Sequence, residues 1–334
     1  MSKNNLINFG ERIFVAGASG RVGSSVCREL FNRGYGNKAN GGEIFAPSRN
    51  KLNLLDTEDV NNWFKVNKPT IVILAAAKVG GIYANSNYPA DFIFENLKIQ
   101  TNVIEASWRN AVKRLVFLGS SCIYPKFAEQ PIKEESLLTG QLESTNEWYA
   151  IAKISGIKLC QALRKQYGFD AISLMPTNLY GTGDNYHPLN SHVVPALIRK
   201  FSEAVKYSKK EVICWGSGNS LREFMHVDDL SRAILFVLEN WNNFNKEKTN
   251  DDDNFYKYII NIGSGQEISI KELAKIISRL TSFKGRIEWD ISKPNGTPRK
   301  ILDSRKIRDL GWEPLIELND GIKKTIEEFI DNNQ

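Results

Sequence analysis

Tyr149 and Lys153 stand four residues apart in NEWYAIAK, a spacing that puts both on one face of a helix. The phenol and the ammonium would then point into the same cleft. A neighbouring cation favours phenolate and draws a tyrosine down from its ordinary pKa of about 10. A phenol so placed can give a proton to a carbonyl oxygen while hydride reaches the carbon. About thirty residues upstream, the apolar run RLVFLGSS ends in Ser120 and Ser121 and is followed by Cys122. Ser120 is positioned to hydrogen-bond the same substrate oxygen as Tyr149. Alternation along a strand predicts that Ser120 and Cys122 share a side, with Ser121 facing away toward a cofactor or a structural contact.

A second chemical signal lies near the N-terminus, where GASGRVG places Gly17, Gly20 and Gly23 between an apolar run and a helical pattern. Glycines there let the backbone turn tightly and approach a pyrophosphate at a helix N-terminus. The tip of the next strand normally chooses between the nicotinamide cofactors: an acid binds the adenosine ribose, whereas an arginine accommodates a 2′-phosphate. This chain reads FAPSRNKLNLLD, with Ser48 and Arg49 at the tip and Asp56 too far along to serve. Arg49 therefore points to NADP(H). The cofactor surface is expected from Gly17, Ser19, Gly20, Arg21, Val22 and Gly23 of the loop, from Arg49, and from later strand ends. Those ends carry Ala75 and Ala76, Leu118, Gly119 and Ser121, and Pro176, Thr177, Asn178 and Leu179, with Lys153 alongside.

These groups need a scaffold that gathers strand ends. Apolar runs at residues 12–16, 42–47, 69–77, 113–121 and 170–176 alternate with helical patterns at about 21–33, 57–66, 91–110 and 146–167. Continuous apolar strands between amphipathic helices predict a parallel sheet covered on both faces. Right-handed crossovers make it a doubly wound α/β fold, a Rossmann sheet. After about residue 178 the rhythm breaks into short Gly- and Pro-rich pieces. The expected division is a dinucleotide-binding domain over 1–178, rejoined by about 224–263, and a smaller α/β substrate-binding domain over 179–223 and 264–334. Residues 258–263 are expected to return to the first sheet, and 241–257 to form a polar surface loop.

Composition narrows the function class. The chain has 334 residues, 42% hydrophobic and 25% charged, with a net charge of +6, as in an ordinary globular protein. Its lysines and arginines are scattered, and runs such as VKYSKKE and NKEKTNDDDN read as solvated, so no nucleic-acid partner is expected. No apolar run approaches membrane-spanning length, and the first residues lack a signal-peptide core. Cys27, Cys122, Cys160 and Cys214 are far apart without a CxxC pair, which predicts reduced thiols, a cytoplasmic setting and no metal site.

Longer blocks carry a resemblance. LAAAKVGGIYANSNYPADF, FLGSSCIYPK, NEWYAIAKISGIKLC, MPTNLYG, DNYHPLNSHVVPAL, WGSGNSLREFMHVDDL and KPNGTPRKILD resemble the GDP-L-fucose synthase branch of the extended short-chain dehydrogenase/reductase family. The likeness runs from about residue 11 to 330. It implies one site that epimerises GDP-4-keto-6-deoxy-D-mannose at C3 and C5 and reduces its C4 ketone with NADPH. By the same resemblance the Ser–Tyr–Lys set falls on Ser120, Tyr149 and Lys153, and the proton-transfer pair on Cys122 and His192. Those residue types suit the task. Inversion needs a base on one face and an acid on the other, and the unperturbed pKa values of histidine and cysteine are about 6.5 and 8.5. Of the three histidines, His187 reads as a loop residue and His226 as a capping contact, while His192 starts a helix and also borders the cofactor.

The resemblance further implies substrate contacts at Lys200, Trp215 and Arg222, with Asn178 and Ser191 as polar neighbours. Two cations there suit a diphosphate. Two departures stand out. Many bacterial relatives read GHRGMVG in the glycine loop, whereas this chain has Ala18 and Ser19, so Arg49 holds a 2′-phosphate with less help. Where the family often has an acid at the guanosine end, this chain has Asn295, an uncharged group that implies a weaker grip on guanine. The resemblance implies a homodimer as well. A related activity on another 4-keto sugar, such as the colitose precursor, is the alternative the same fold allows.

Overall fold

The apolar runs become the strands of one parallel sheet in a computed structural model, which describes residues 6–188, 190–240 and 255–332. Its first five strands are β1 (Arg12–Ala16), β2 (Glu43–Phe45), β3 (Ile71–Leu74), β4 (Arg114–Leu118) and β5 (Ala171–Pro176). Between them run α1 (Arg21–Asn32), α2 (Thr57–Asn67), α3 (Ile82–Asn87), α4 (Pro89–Arg109) and α5 (Glu147–Tyr167). The short α3 was not anticipated from the sequence, and β2 is shorter than the run 42–47.

Alternation along the central strands explains both layers. Phe14 and Ala16 join Val72, Leu74, Leu115 and Phe117 under α2, α4 and α5. Ile13 and Val15 join Ile71, Ile73, Val116 and Leu118 on the other face, against Val26 and Leu30 of α1. A strand buried on both faces has no polar positions to spare, hence the unbroken apolar runs. Asp56, too late for a ribose contact, instead caps α2 by accepting from the Glu58 and Asp59 N–H groups at 2.9 and 3.0 Å.

A second region begins with β6 (Asn178–Tyr180), α6 (Val193–Lys206), β7 (Glu211–Trp215) and β8 (Leu221–His226). Then α7 (Val227–Asn240) packs on α1, where Ser25 Oγ donates to Asp228 at 2.7 Å, and β9 (Ile259–Ile262) pairs with β5 to complete the order β2-β1-β3-β4-β5-β9. Of the expected surface loop 241–257, residues 241–254 lie outside the described residues, and Phe255–Tyr258 form a 3-10 turn leading into β9. The remainder is β10 (Glu267–Ser269), α8 (Ile270–Leu280), β11 (Arg286–Asp290), β12 (Arg299–Lys300), α9 (Arg305–Arg308) and α10 (Leu318–Asp331). β8 pairs with β6, β10 and β12, while β11 pairs with β7. β8 therefore belongs to the second sheet, although α7 and β9 return to the first.

The buried Glu223 of β8 anchors the segments that follow β9 and β12. Its carboxylate accepts from the N–H groups of Gly265 at 2.7 Å and Leu302 at 3.1 Å, which satisfies a group that burial pushes above the usual carboxylate range. Among the described residues, no helix is long and apolar enough to cross a membrane.

Candidate active site

The glycine loop sits where the strand order reverses between β1 and β3, the position at which doubly wound sheets bind ligands. Gly17 has φ +87°, and a Cβ there would lie 2.7 Å from the Ala76 Cα; one on Gly23 would meet the Gly17 carbonyl at 2.1 Å. Only hydrogen fits at either position. Gly20, the residue before α1, offers no side-chain cap, so N–H groups of the first helical turn remain for an anion. This cradle fits a dinucleotide pyrophosphate. Ser19 is exposed on it and Arg49 is exposed on the turn after β2. Ala75 is held to β1 by its N–H bond to the Ala16 carbonyl at 3.0 Å, and Gly119 to β5 through Leu174 at 2.9 Å.

Arg21, next to Val22 at the start of α1, forms an ion pair with Asp184 at 2.5 Å. It ties the glycine loop to the segment that leads into α6. Beyond β5, the Thr177 hydroxyl and the Asn178 amide both donate to the Glu223 carbonyl, at 3.2 and 2.8 Å, and Leu179 packs on the core beneath α1 and α7.

Strand alternation does not carry Ser120 and Cys122. β4 stops at Leu118, and Ser121–Ile123 form a 3-10 turn. The cause is local: Ser120 Oγ accepts from the Cys122 N–H at 3.2 Å and closes the turn. Ser121 is buried, and Tyr124 anchors the far side by donating to Asn261 of β9 at 2.6 Å. The thiol thus reaches Ser120's neighbourhood through a turn rather than through a pleat.

α5 brings Tyr149 and Lys153 to this turn. Lys153 Nζ donates to the Leu118 carbonyl at 2.8 Å and lies 5.9 Å from the Tyr149 ring centroid. Burial lowers Lys153 to about 7, since a desolvated ammonium is disfavoured. Tyr149 moves the other way from the sequence expectation. Burial and then the nearby Cys122 raise it, against a hydrogen bond from Ser120 that lowers it. Desolvation is the largest influence on the phenol and favours its protonated form.

His192 is the residue before α6, at its N-cap. Burial first, then the Arg21 guanidinium, lower its imidazole to about 4, with Asp184 opposing and Lys300 adding to the depression. An unfolded histidine binds its proton near 6.5, so between pH 6.5 and about 4 the unfolded chain holds more protons and stability falls as pH falls. From pH 7 to 4.5, the wild type is expected to lose about 2 kcal/mol more stability than His192→Asn in urea unfolding. Equal losses would show that His192 titrates alike in both states. His226, by contrast, is buried at the end of β8 and accepts from the Asp228 N–H at 3.2 Å, capping α7. His187 stays exposed, with Nδ1 accepting from the Asn190 N–H at 3.3 Å. Ser191 lies against Gly81, whose N–H donates to the Asn190 carbonyl at 3.1 Å.

Residues 13–263 match the family described as NAD dependent epimerase/dehydratase. The chain belongs to this epimerase/dehydratase family. It is 52% identical over 321 residues to GDP-L-fucose synthase 1 of Arabidopsis thaliana, covering 96% of this chain and 94% of the relative. It is 48% identical over 322 residues to GDP-L-fucose synthase of Escherichia coli K12, covering 96% and 97%. Among solved structures, it superposes on the GDP-mannoheptose C4 reductase MlghC of Campylobacter jejuni with NADP bound. That match has a TM-score of 0.83 at 36% identity over 97% of this chain and 99% of that one.

In this epimerase/dehydratase chain the residues expected to contact substrate beyond the Ser120 turn, Lys200, Trp215 and Arg222, lie on the second region. Trp215 is 45% exposed, with Lys200 Nζ at 5.5 Å and Lys293 Nζ at 5.7 Å from its ring. Lys200 also donates to the Ile213 carbonyl at 2.7 Å. Arg222 Nη1 donates to Leu221 O at 2.8 Å and Nη2 to Asn295 O at 3.3 Å. The Asn295 side-chain oxygen accepts from the Ser217 N–H at 2.8 Å and hydroxyl at 3.1 Å. It therefore braces the turn after Trp215 as an acceptor, a role an acid would fill equally. Sequence reasoning passed over Lys300, whose Nζ lies 3.7 Å from the Cys122 sulfur, and Lys293 at the indole. Lys300 lies inside the block KPNGTPRKILD, so the signal was present, but nothing in its spacing points to Cys122.

Proposed function

We propose that this chain epimerises GDP-4-keto-6-deoxy-D-mannose at C3 and C5 and reduces its C4 ketone with NADPH, yielding GDP-L-fucose. The observation that carries this reading is the Cys122 thiol set beside the Ser120–Tyr149–Lys153 group, with Lys300 both in contact with that thiol and acting by its charge on His192. A simple reductase has no use for that thiol. The names of the plant and bacterial relatives support the same activity.

In this reading, Ser120 and Tyr149 donate hydrogen bonds to the C4 oxygen, where negative charge develops when an adjacent C–H is broken. Cys122 and His192 serve opposite faces of the ring. One removes the proton, the electron pair moves onto the C4 oxygen, and the other returns a proton to the opposite face as the ketone re-forms. Gly17, Ser19, Gly20, Arg21, Val22 and Gly23 would hold NADPH, with Arg49 for its 2′-phosphate, and the cofactor when bound would supply the hydride for C4. Tyr149, which burial keeps protonated, then delivers its proton to the oxygen. Lys153, Ser121, Ala75, Ala76, Leu118, Gly119 and residues 176–179 line the cofactor. Lys200 and Arg222 meet the diphosphate, and Trp215, braced by Asn295, packs on the nucleoside.

The reading includes a dinucleotide-binding domain over 1–178, completed by α7 and β9, and a substrate-binding domain from the rest. A homodimer fits the exposed Tyr83, Tyr88 and Phe94 around α3 and α4, and a cytoplasmic setting fits four unpaired cysteines. The test is incubation with GDP-4-keto-6-deoxy-D-mannose and NADPH in deuterated water, followed by NMR of the product. GDP-L-fucose carrying deuterium at C3 and C5 is expected. A folded protein that consumes no NADPH overturns the reading, and reduction without either inversion makes the chain a C4 reductase.

A further inference from the structure

We infer that Lys300 is a positioning residue for proton transfer, its ammonium placed to stabilise the charged form that Cys122 takes during epimerisation. This rests on the epimerase reading of Cys122. Whichever face the thiol serves, it must be a thiolate at one stage: before the step if it is the base, after it if it is the acid. In the balance of the step, the C–H proton moves to one partner, the electron pair to the ketone oxygen, and a proton returns from the other partner. Lys300 keeps its own proton throughout.

The geometry is specific. Lys300 Nζ lies 3.7 Å from Cys122 Sγ. Alternation on the two-residue β12 sends its neighbour Arg299 the other way, into a double contact with Glu267 at 2.7 and 2.8 Å. The backbone beyond Lys300 is clamped on both sides. The Ile301 N–H donates to Gln130 at 3.0 Å, and the Leu302 N–H to Glu223 at 3.1 Å. Charged and titratable groups reach Cys122 from every packed element: Tyr149 from α5, Arg222 from β8, Glu143 from the segment before α5, and Lys300 from β12. Arg222 also bears on Cys122 by its charge, while its Nη1 and Nη2 donate to two backbone carbonyls, and Glu143 pairs with Lys126 at 3.0 Å. Lys300 makes the direct contact with the sulfur, at 3.7 Å. It also bears on His192, where the same charge disfavours the imidazolium.

The test is alkylation of Cys122 by iodoacetamide in the holoenzyme, followed by peptide mass spectrometry across pH, with Cys122→Ser as the blank. At pH 7, Lys300→Met is expected to slow modification about ten-fold and to displace its pH profile upward by about one unit. Lys300→Arg should stay within about three-fold of wild type, because the charge is kept. Lys300→Gln gives the same reading if the methionine variant does not fold. Deuterium exchange at C3 and C5 should slow in parallel. Unchanged alkylation in the neutral variants overturns the inference, as does a raised KM with an unchanged alkylation profile, which would make Lys300 a diphosphate contact only. Alkylation needs no sugar substrate, so this result and failure of the proposed activity remain distinguishable.

Discussion

Tyr149→Phe is expected to lower NADPH-dependent reduction of the keto sugar by about 10³-fold, within the range that a positioned general acid contributes. The substitution removes one oxygen and leaves the ring that Lys153 approaches at 5.9 Å, so α5 and the turn after β4 should stay in place. The lost oxygen is the one that hydrogen-bonds Ser120 and, held protonated by burial, would supply the proton at C4. Stopped-flow absorbance of NADPH measures the rate, and fluorescence titration measures its binding. Binding should remain within about three-fold of wild type. A variant that keeps more than a tenth of the reduction rate would remove Tyr149 from the role of acid and leave water or Lys153 to supply it.

Cys122→Ser separates the two halves of the reaction. Exchange of the C3 and C5 protons with solvent should fall by about 10²- to 10⁴-fold, the span of general acid–base catalysis, because a hydroxyl neither holds nor releases a proton near neutrality as a thiol does. Hydride transfer to C4 should persist, since Ser120, Tyr149 and Lys153 are untouched. The turn itself should survive: it is closed by the backbone N–H of residue 122 on Ser120 Oγ, which does not involve the side chain. NMR in deuterated water reads exchange, and the reduced product shows whether inversion preceded reduction. Exchange within ten-fold of wild type would assign the proton transfers to another pair.

Much of the cleft was legible in the sequence wherever partners share an element. Tyr149 and Lys153 follow from helical spacing, the glycine loop from a strand–helix junction, and both layers of the sheet from runs such as RIFVA and IVIL. Where local order and tertiary setting compete, the reading slipped. Tyr149 was expected to be lowered by Lys153, but burial acts on both groups and reverses the direction. The pleat predicted for Ser120 and Cys122 gave way to a turn because a serine side chain can satisfy the backbone two residues on.

By itself the sequence determined the identity of the elements and the pairs within them, since a helical or pleated repeat places near neighbours whatever surrounds them. The tertiary structure alone decided which distant groups meet. Lys300 reaches Cys122 across 178 residues through the register of β12 on β8, Arg21 reaches Asp184 across the junction of loop and second region, and Asn295 reaches Ser217 at the turn after Trp215. Those contacts depend on how sheets stack and strands register. Chain spacing carries no trace of them, because the free energy that sets register is spread over the buried faces of whole elements.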